Sequence, residues 1–574
     1  MLMDKQIHRL AVVLAAVALV SCANRGVGPQ GGPKDSIPPV AVKYEPENGC
    51  VNFSGKRVEI TFNEYLQLDN IATHLLMSPP QQHPPEVKAR GKRLLIQFVD
   101  SLRDSTTYTL DFGAAVCDYT EKNPHHGFSY GFSTGPTIDT LETWGTVLQA
   151  ADLKPAKGVI VGIQDNLHDS AFTTMPLLRI ARTDTTGFFR ISNMRAGTYR
   201  LYALDDVSRD YRLTPGESLA FAETLLTVTA PAPPDTTATD SVAPVIDSTR
   251  NVLYLFKPQQ QRLYMQRTQR EEQHKIRIHF SSSPDSLPVI RPLADSLNWY
   301  VEYTAKRDTA NVWLLDSMSI AQDSLYFEVR YRRTDSLYHL EWALDTVRAV
   351  WRAPKLSAKA REALERKNRN RRLEIKTNAR KGFELYDTLR LTSTTPLASI
   401  DLEKIQIVEK IDTVFQPVAF SLAPYDTLPM QLTFLASLAP GKKYELRLDS
   451  AALHDVYGIT HIAGHYSLEV KKPEEYSTIR VKITPFNPKA RIQVLGKNEK
   501  VLREQSAEPE GALFRYLRSD TYNLRMYIDA DGNGQWTTGS WDDKRQPEKV
   551  YNFPGTIQTK SNWDFEEEWN YEAQ

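Results

Sequence analysis

The sequence shows no excess of charge and very little helical periodicity. Lys plus Arg and Asp plus Glu number 70 each, which gives a formal net charge of zero at pH 7. Such a chain lacks the basic field that attracts nucleic-acid phosphates or an anionic lipid surface, so we expect no nucleic-acid partner. A helical pattern is confined to 356–372, a stretch rich in Ala, Glu, Arg and Lys that Ser357 is placed to cap.

Cysteine is also scarce. The chain of 574 residues contains only Cys22, Cys50 and Cys117. Cys22 is a candidate for lipid modification, so Cys50 and Cys117 are the two cysteines that remain to pair. In an oxidising compartment these two can form a disulfide, and two free thiols fit the sequence equally well. The sequence alone leaves both interpretations open.

A single apolar run of eleven residues, Leu10–Val20, lies near the start of the chain behind basic residues. It has the length of a signal-peptide core, whereas a membrane-spanning helix needs about 20 apolar residues. The segment Leu19-Val20-Ser21-Cys22 resembles the lipobox of bacterial lipoproteins. The resemblance implies that residues 1–21 are a signal peptide and that Cys22 carries acyl chains such as palmitate. No acidic residue follows Cys22 directly, so we expect a lipid anchor in the outer membrane, on its periplasmic or its surface face.

The rest of the chain has the pattern of an all-β protein. Short runs of alternating apolar and polar residues recur from Val40 onward, as in 58–62, 94–98 and 108–112. Each run lies about ten residues from a turn signal, which is the spacing of a β-sandwich. We therefore predict tandem β-sandwich domains in series, with one short helical connector.

The chain also repeats itself at long range. The pattern around Tyr108, which leads to Asp118, returns around Tyr444 at an offset of 336 residues. The pattern around Tyr199, which leads to Asp206, returns around Tyr522 at an offset of 323 residues. Such self-similarity predicts that a sandwich followed by a second small β-domain occurs twice, on either side of a central domain.

Several segments resemble known domain types. The first predicted sandwich resembles bacterial Ig-like domains of the SbsA type. The resemblance lies in the segments Pro38-Pro39, Phe62-Asn63-Glu64-Tyr65, Ser78-Pro79-Pro80, Thr106-Thr107-Tyr108 and Phe132-Ser133-Thr134-Gly135. The segments 183–191 and 197–201 resemble the carboxypeptidase-regulatory-like, or transthyretin-like, β-sandwich. Together these features resemble a family of outer-membrane lipoproteins. The resemblance implies a fold and a location, but no reaction.

The resulting division of the chain has nine parts. They are a signal peptide (1–21), a flexible tether (22–36), an Ig-like domain (37–136), a transthyretin-like sandwich (137–229), a Pro/Thr/Asp-rich linker (230–248), a central β-domain (249–353), a basic helical connector (354–373), a second Ig-like domain (374–472) and a second transthyretin-like domain (473–574). We expect the basic side chains of the connector to form a solvated face.

The strongest candidate site is a calcium loop that begins at Asp529. Asp529, Asp531 and Asn533 place oxygen donors at positions 1, 3 and 5, and Gly534 follows at position 6, as in an EF-hand loop. Position 12 is a serine, so a further carboxylate is needed, for which Asp542 or Asp543 is available. The alternative is a plain hairpin turn, which Asp-Gly and Asn-Gly pairs also favour.

A weaker calcium candidate lies at the corresponding place in the first half. Asp206 and Asp210 occupy positions 1 and 5, and Glu217 falls at position 12. Tyr211 replaces the glycine of position 6, which favours a plain turn here. Calcium is the only cofactor that the sequence indicates.

The sequence contains no motif that predicts a catalytic group. The segment 131–135 fits the pattern G-x-S-x-G, but no helical pattern follows Ser133, as a nucleophile on a strand-to-helix turn requires. We expect a non-catalytic, lipid-anchored scaffold that binds an envelope protein partner, such as an outer-membrane assembly or transport complex. The alternative is a glycan-binding surface lipoprotein, in which indole rings stack on sugars. The candidate rings are those of Trp144, Trp299, Trp536 and Trp541.

Overall fold

The described residues form five hydrophobic cores, built almost entirely from β-strands, and a sixth, smaller apolar cluster around Phe172 and Tyr202. The computed structural model describes residues 35–229, 251–258, 262–335, 340–353, 355 and 357–572. The cores lie in 41–132, 141–255, 263–349, 373–470 and 479–571, and we call these regions the first to fifth domains. The all-β fold class is thereby confirmed. The predicted signal peptide, Cys22, almost all of the tether and the linker 230–248 lie outside the described residues.

The first domain packs a four-stranded sheet, β1-β2-β6-β5, against a three-stranded sheet, β4-β7-β9, with β3 and β8 paired beside them. Its strands are β1 (Ala41–Glu45), β2 (Arg57–Phe62), β3 (Leu66–Leu68), β4 (Leu76–Ser78), β5 (Glu86–Arg90), β6 (Arg93–Gln97), β7 (Thr107–Asp111), β8 (Val116–Asp118) and β9 (Ser129–Ser133), with one short helix at Ile71–His74. In β2, Val58, Ile60 and Phe62 are buried at alternate positions, as the period of a strand requires. Ser133 ends β9, and no helix follows it directly.

The second domain packs the sheet β13-β10-β17 against the sheet β12-β11-β14-β15. Its strands are β10 (Leu141–Gln149), β11 (Ile160–Gln164), β12 (Arg179–Arg182), β13 (Phe188–Met194), β14 (Gly197–Leu204), β15 (Leu219–Phe221), β16 (Leu226–Val228) and β17 (Asn251–Leu255), with a short helix at Ala171–Thr174. Strand β17 runs parallel to β10, with Gly145 opposite Asn251.

The position of β17 corrects the predicted start of the central domain at residue 249. Leu253 and Leu255 on this strand are buried in the core of the second domain. The Pro/Thr/Asp-rich composition of 230–248 predicted a domain boundary at its end. The strand that follows this segment nevertheless completes the preceding sheet, because parallel pairing joins segments that are distant in sequence.

The third domain consists of the sheets β18-β19-β22-β21 and β20-β23-β24. Its strands are β18 (Met265–Glu272), β19 (Lys275–Phe280), β20 (Val289–Pro292), β21 (Trp299–Tyr303), β22 (Thr309–Leu314), β23 (Ser324–Thr334) and β24 (Leu340–Val350), with a short helix at Ser317–Ala321. The connector after it forms the helix Ala358–Arg369, in which the Ser357 hydroxyl accepts a hydrogen bond from the Ala360 amide, as predicted. None of the helices among the described residues is long and apolar enough to cross a membrane.

The fourth and fifth domains repeat the strand order of the first and second. Their strands are β25 (Ile375–Thr377), β26 (Lys381–Phe383), β27 (Leu389–Ser393), β28 (Leu397–Ile400), β29 (Ile405–Ile411), β30 (Val414–Val418), β31 (Phe420–Leu422), β32 (Gln431–Ala436), β33 (Lys443–Leu448), β34 (Leu453–Asp455), β35 (Gly464–Val470), β36 (Ser477–Thr484), β37 (Ala490–Leu495), β38 (Val501–Ser506), β39 (Ala512–Leu517), β40 (Thr521–Ile528), β41 (Val550–Gln558) and β42 (Asp564–Asn570). The 3-10 turns are Leu402–Lys404, Pro473–Glu475 and Lys497–Glu499. The order β25-β27-β32-β31 repeats β1-β2-β6-β5, and β39-β36-β42 repeats β13-β10-β17, including its parallel edge strand.

Tyr108 and Tyr444, around which the sequence repeats, make the same contact in the first and the fourth domain. The Tyr108 hydroxyl accepts a hydrogen bond from the Arg103 amide at 2.7 Å. The Tyr444 hydroxyl accepts one from the Ala439 amide at 2.8 Å, also five residues upstream. Each tyrosine thus ties its strand to the preceding turn.

The second sandwich repeats its own tyrosine contact. The Tyr199 hydroxyl donates to the Arg195 carbonyl at 3.0 Å, and the Tyr522 hydroxyl donates to the Arg518 carbonyl at 2.7 Å. Both bonds close the turn that leads into β14 or β40. The long-range sequence repeat therefore corresponds to a repeat in structure.

Candidate functional site

Three carboxylates converge in the long loop that joins β40 to β41 in the fifth domain. One oxygen from each of Asp529, Asp531 and Glu548 lies within 4.8 Å of the others. Within the described ranges, no other group of three potential metal-ligating side chains comes together in this way. The loop that carries them spans residues 529–549, and we call it the carboxylate loop.

Backbone amides of the carboxylate loop hold Asp529 in place. Its Oδ1 atom accepts a hydrogen bond from the Gly532 amide at 2.8 Å, and its Oδ2 atom accepts one from the Gly534 amide at 2.9 Å. Gly532 and Gly534 have positive φ angles of 75° and 76°. Glycine adopts this left-handed conformation without a steric penalty, which explains why the tight turn has glycine at both positions.

Glu548 closes the loop from its far end and takes the place that was predicted for Asp542 or Asp543. Its Oε1 atom accepts a hydrogen bond from the Ala530 amide at 2.6 Å, and its Oε2 atom accepts one from the Thr537 amide at 2.9 Å. Asp543 instead accepts a hydrogen bond from the Ser540 hydroxyl. Glu548 therefore replaces Asp542 or Asp543 as the third carboxylate of the candidate site. Glu217 accepts from the matching amides in the first copy, but it lies at a different spacing, so the sequence did not indicate Glu548.

Asp531 and Asn533 lie on the outer side of the cluster. The Thr537 hydroxyl donates to Asp531 Oδ2 at 2.8 Å, and this bond is the main reason why the pKa of Asp531 is lowered. The Asn533 side-chain nitrogen donates to the same carboxylate, while its oxygen accepts from the Gln535 amide. Asn533 therefore supports the turn, and its oxygen faces the backbone.

This arrangement offers hard oxygen atoms of the kind that Ca²⁺ prefers. Calcium takes six to eight oxygen ligands, and three carboxylates supply up to six. Each carboxylate oxygen that accepts one amide hydrogen keeps a further lone pair. Calcium at Asp529 and Asp531 stays a prediction, with Glu548 as the third carboxylate in place of an aspartate.

The first copy of the loop, between β14 and β15, is shorter, makes matching hydrogen bonds and has a poorer ligand set. Glu217 accepts hydrogen bonds from the Val207, Ser208 and Thr214 amides, as Glu548 does from the matching amides. Asp206 accepts from the Tyr211 amide, and burial raises the pKa of Asp206.

Two differences disfavour calcium in the first copy. Ser208 stands where the second copy has Asp531, so a carboxylate is replaced by a hydroxyl. Asp210 forms an ion pair with Arg212 at 2.8 Å. Asp206, Asp210 and Glu217 do not form a converging group among the described residues. The calcium prediction therefore applies more strongly to the second copy.

The carboxylate loop also forms the contact between the fifth and the second domain. The Trp541 ring packs edge-on against Phe172, with ring centroids 5.2 Å apart, and against Phe221 at 5.6 Å. The Trp536 indole donates to the Glu548 carbonyl at 3.0 Å. Glu548 thus links the carboxylate cluster to the aromatic contact.

Polar contacts complete this interface. Three side chains of the fifth domain donate to backbone carbonyls of the second domain or the segment just after it: Gln546 to Phe221, Thr538 to Lys257 and Asn552 to Asp152, at 2.8 to 2.9 Å. Lys154 forms an ion pair with Glu499 at 2.7 Å. A cleft of about 520 Å³ opens beside these contacts, lined by 221–224, 251–254 and 546–551.

The four tryptophans that the glycan-binding alternative requires are half-buried. Trp541 lies in the interface, with the Lys544 ammonium 3.1 Å from the centre of its ring. Trp144 packs beside Phe188, and Trp299 packs against the core of the third domain. These rings form no flat exposed platform for a sugar.

The two remaining cysteines are free thiols, which corrects the disulfide alternative. Cys50 lies half-buried, with its sulfur 3.9 Å from the Tyr130 hydroxyl. Cys117 is buried on β8 and donates to the Ala114 carbonyl. Burial raises the pKa of Cys117, which makes this thiol less reactive.

Comparison with protein families gives a match for the first domain. Residues 35–134 match the family model described as a bacterial Ig-like domain. The match agrees with the predicted Ig-like domain at 37–136 and covers a minor part of the chain. No curated protein sequence matches the chain.

Several solved structures have a distant likeness to the chain. They include the N-terminal part of the bacterial S-layer protein SbsC, 12% identical with a TM-score of 0.18, over 30% of this chain and 44% of that one. Domains 1–6 of the surface layer protein SbsC are 8% identical with a TM-score of 0.14, over 92% and 67%. The Bacillus anthracis TIE protein is 10% identical with a TM-score of 0.13, over 94% and 76%. At these TM-scores the likenesses carry no argument about function.

Proposed function

We propose that this chain is a non-catalytic scaffold of the cell envelope, anchored in the outer membrane by lipid on Cys22. In this role its domains hold an envelope protein partner at a fixed position, as an accessory subunit of an assembly or transport complex does. The observation that carries the proposal is that each of the five domains packs against at least one other, because a scaffold needs fixed distances between its binding surfaces.

The first and second domains are joined through a buried cation. The Arg179 guanidinium donates to the Thr107 carbonyl at 2.6 Å and forms an ion pair with Asp139 at 3.4 Å. Burial lowers the pKa of Arg179 to about 10, and the nearby Asp139 opposes this shift. The side chain therefore stays charged at neutral pH and holds the two domains together.

The fourth and fifth domains are joined through a buried anion. Glu384 is 2% exposed and accepts hydrogen bonds from the Tyr476 hydroxyl at 2.6 Å, from the Lys471 ammonium and from the Arg518 guanidinium. Burial by itself raises the pKa of Glu384, but the hydrogen bonds from Tyr476, Arg518 and Lys471 outweigh it and lower the pKa. The carboxylate therefore stays ionised between the two domains.

The fifth domain then docks back onto the second through Trp541, so that the chain closes on itself. The third and fourth domains also touch, because the Tyr457 hydroxyl donates to the Leu314 carbonyl at 2.9 Å. The described residues thus show contacts between the first and second, second and fifth, fourth and fifth, and third and fourth domains. Each contact restricts the relative motion of the two domains that it joins, which supports a structural role.

The lipid anchor is tested by labelling with palmitate. Wild type, Cys22→Ala and the matched control Cys50→Ala are expressed in a Gram-negative host. We expect label and outer-membrane fractionation for wild type and Cys50→Ala, and an unlabelled, unprocessed or soluble Cys22→Ala chain. Three acyl chains at about 0.8 kcal/mol per buried CH₂ give essentially permanent attachment. Label that still enters Cys22→Ala contradicts the anchor.

The scaffold role is tested by purifying the lipidated protein from envelope membranes in mild detergent. A stoichiometric outer-membrane protein that copurifies supports the proposal. Retention on envelope polysaccharide without any protein partner contradicts it and favours the glycan-binding alternative.

A further inference from the structure

The third domain has one sheet face that no other described segment covers. This is the outer face of β20-β23-β24, which we call the arginine–tryptophan face. Its central residues are Val289, Tyr326, Arg330, Trp342, Leu344 and Arg348.

Strand register places these side chains on one side of the sheet. Arg330 pairs with Leu344 on β24 and with Val289 on β20, and Tyr326 pairs with Arg348. Residues directly opposite each other in a sheet point to the same face. The neighbouring residues of β23, such as Phe327 and Val329, are buried in the core on the other side.

Several apolar side chains are exposed side by side on this face. Trp342 is 57% exposed and Leu344 is 59% exposed. Val289 and Tyr326 are also exposed, which extends the apolar area across all three strands. Contiguous exposed apolar residues on a soluble domain mark an interaction site.

Two arginines of this face lie over aromatic rings of the same face. The Arg330 guanidinium lies 4.8 Å from the centre of the Trp342 ring, and the Arg348 guanidinium lies 5.8 Å from the centre of the Tyr326 ring. A cation–π contact of this kind restrains the charge before a partner arrives, so less side-chain entropy is lost on binding.

The face carries more positive than negative charge. Arg332 is neutralised by an ion pair with Asp285 at 2.6 Å, and Glu328 is the remaining acidic side chain on the face. Arg330 and Arg348 form no ion pair with a carboxylate in the part of the chain that the structure describes. A complementary partner therefore offers carboxylates to these two guanidinium groups.

We propose that the arginine–tryptophan face is the docking site for a protein surface in which carboxylates flank an apolar centre. This inference rests on the proposed scaffold function and names the place where the partner binds. Trp, Tyr and Arg are the residues that dominate binding energy at protein interfaces. A second copy of the chain is disfavoured, because two such faces would bring like charges together.

A membrane surface fits the geometry less well. The apolar side chains project from a sheet face. They do not lie on an amphipathic helix, the element that inserts between lipid headgroups.

The test uses the full lipidated chain with the photo-crosslinking residue p-benzoylphenylalanine at Leu344. The control position is Gln266, which is exposed on β18 in the other sheet of the same domain. We expect Leu344 to crosslink a protein through a segment that carries Asp or Glu, as identified by mass spectrometry. The double variant Arg330→Glu/Arg348→Glu should lower this crosslink at least about tenfold, because it opposes two partner carboxylates.

A matched charge reversal separates the docking site from a general charge effect. Arg267→Glu/Lys306→Glu changes the net charge equally at exposed positions away from this face and should leave the crosslink intact. Reversal of the crosslinked carboxylates to Lys in the partner should restore binding to Arg330→Glu/Arg348→Glu. Unchanged melting temperatures establish that both double variants are folded.

Three results would overturn the inference. They are a Leu344 crosslink no stronger than that of Gln266, a crosslink to another copy of the chain, and Trp342-dependent sedimentation with vesicles of three parts phosphatidylethanolamine to one part phosphatidylglycerol without any protein crosslink. If a stoichiometric partner copurifies but Leu344 does not contact it, the scaffold function stands and only this docking site is wrong. If no partner copurifies, the scaffold function itself is contradicted.

Discussion

Trp541 in the fifth domain packs edge-on against Phe172 in the second domain, with ring centroids 5.2 Å apart and ring planes at 74°. Tyr202 lies beneath Phe172 in a parallel stack with centroids 4.0 Å apart. The second domain thus presents an apolar sheet face that a distant part of the chain covers. The same face of the fifth domain carries Glu504, which accepts hydrogen bonds from Arg491 and from the Tyr527 hydroxyl. The second domain is therefore covered on its apolar face, whereas the equivalent face of the fifth domain is polar.

Trp541→Ala should open the contact between the fifth and second domains. Loss of a half-buried aromatic anchor costs about 2–4 kcal/mol. We expect faster hydrogen exchange in the segments around Phe172 and Tyr202 and a larger radius of gyration by X-ray scattering. Trp563→Ala is the matched control, since Trp563 is 57% exposed on the fifth domain. Exchange in Trp541→Ala that equals the control would show that the ring does not hold the domains together.

Gly145→Ala tests whether β17 is part of the second domain. A Cβ atom at Gly145 would overlap the Asn251 carbonyl oxygen, so the two strands would have to move apart. We expect a loss of about 1–3 kcal/mol in the stability of the second domain and loss of exchange protection in 251–255.

The control for this substitution is Gly131→Ala on β9. The nearest atom to its added Cβ is the Tyr108 carbonyl oxygen at 3.6 Å, an ordinary contact. Equal melting temperatures for Gly145→Ala and Gly131→Ala would refute the close approach of β10 and β17.

The sequence predicted those features that depend on local pattern. Alternating burial along β2, the cap at Ser357 and the paired tyrosines all follow from residue type and spacing. The repeat was visible because Tyr108 and Tyr444 make the same bond to the turn five residues upstream. Because this hydrogen bond requires a tyrosine at the same place in each copy, the two tyrosines are visible as a repeat in the sequence.

Features that depend on distant contacts were beyond sequence reasoning. Glu548 reaches Asp529 through an irregular loop, so no fixed motif spacing indicates it. Strand β17 pairs in parallel with a strand more than a hundred residues earlier in the chain. The half-buried Trp541 has the pattern of an ordinary core residue, and only the assembled domains show that it fills another domain's surface.

The Glu384 contact should make the junction of the fourth and fifth domains sensitive to acid. Because the pKa of Glu384 is lowered in the folded protein from its ordinary value of 4.5, its stabilisation is complete above that value. The stabilisation is lost as the pH falls through the lower folded pKa. We expect Glu384→Gln to cost about 1–3 kcal/mol at pH 7 and less at pH 3, where the carboxyl of the unfolded chain is protonated.

The measurement is hydrogen exchange around Tyr476 and Arg518 at both pH values. Glu474→Gln, at an exposed position near the same junction, is the control and should show neither loss. A Glu384→Gln effect of the same size at pH 3 and pH 7 would show that the carboxylate charge does not hold the junction.

The last prediction concerns calcium at the carboxylate loop. If Ca²⁺ binds, it offsets the repulsion among Asp529, Asp531 and Glu548, and chelation should destabilise the fifth domain. A site with a Kd of about 10⁻⁵ M in about 10⁻³ M calcium gains roughly 2.7 kcal/mol. The full chain should therefore lose exchange protection in 529–548 and melt several degrees lower in EGTA. Because the loop also carries Trp541, protection around Phe172 should fall with it.

Two variants make the calcium test specific. Asp531→Asn removes one exposed carboxylate while it keeps the side-chain shape, and it should abolish the difference between calcium and EGTA. Asp210→Asn makes an Asp-to-Asn change at position 5 of the first copy of the loop, where Asp210 pairs with Arg212, and it should leave that difference intact. Identical melting and exchange of wild type in calcium and in EGTA would show that the carboxylates serve only as acceptors for the amides of Ala530, Gly532 and Gly534, and that the loop is a hydrogen-bonded turn.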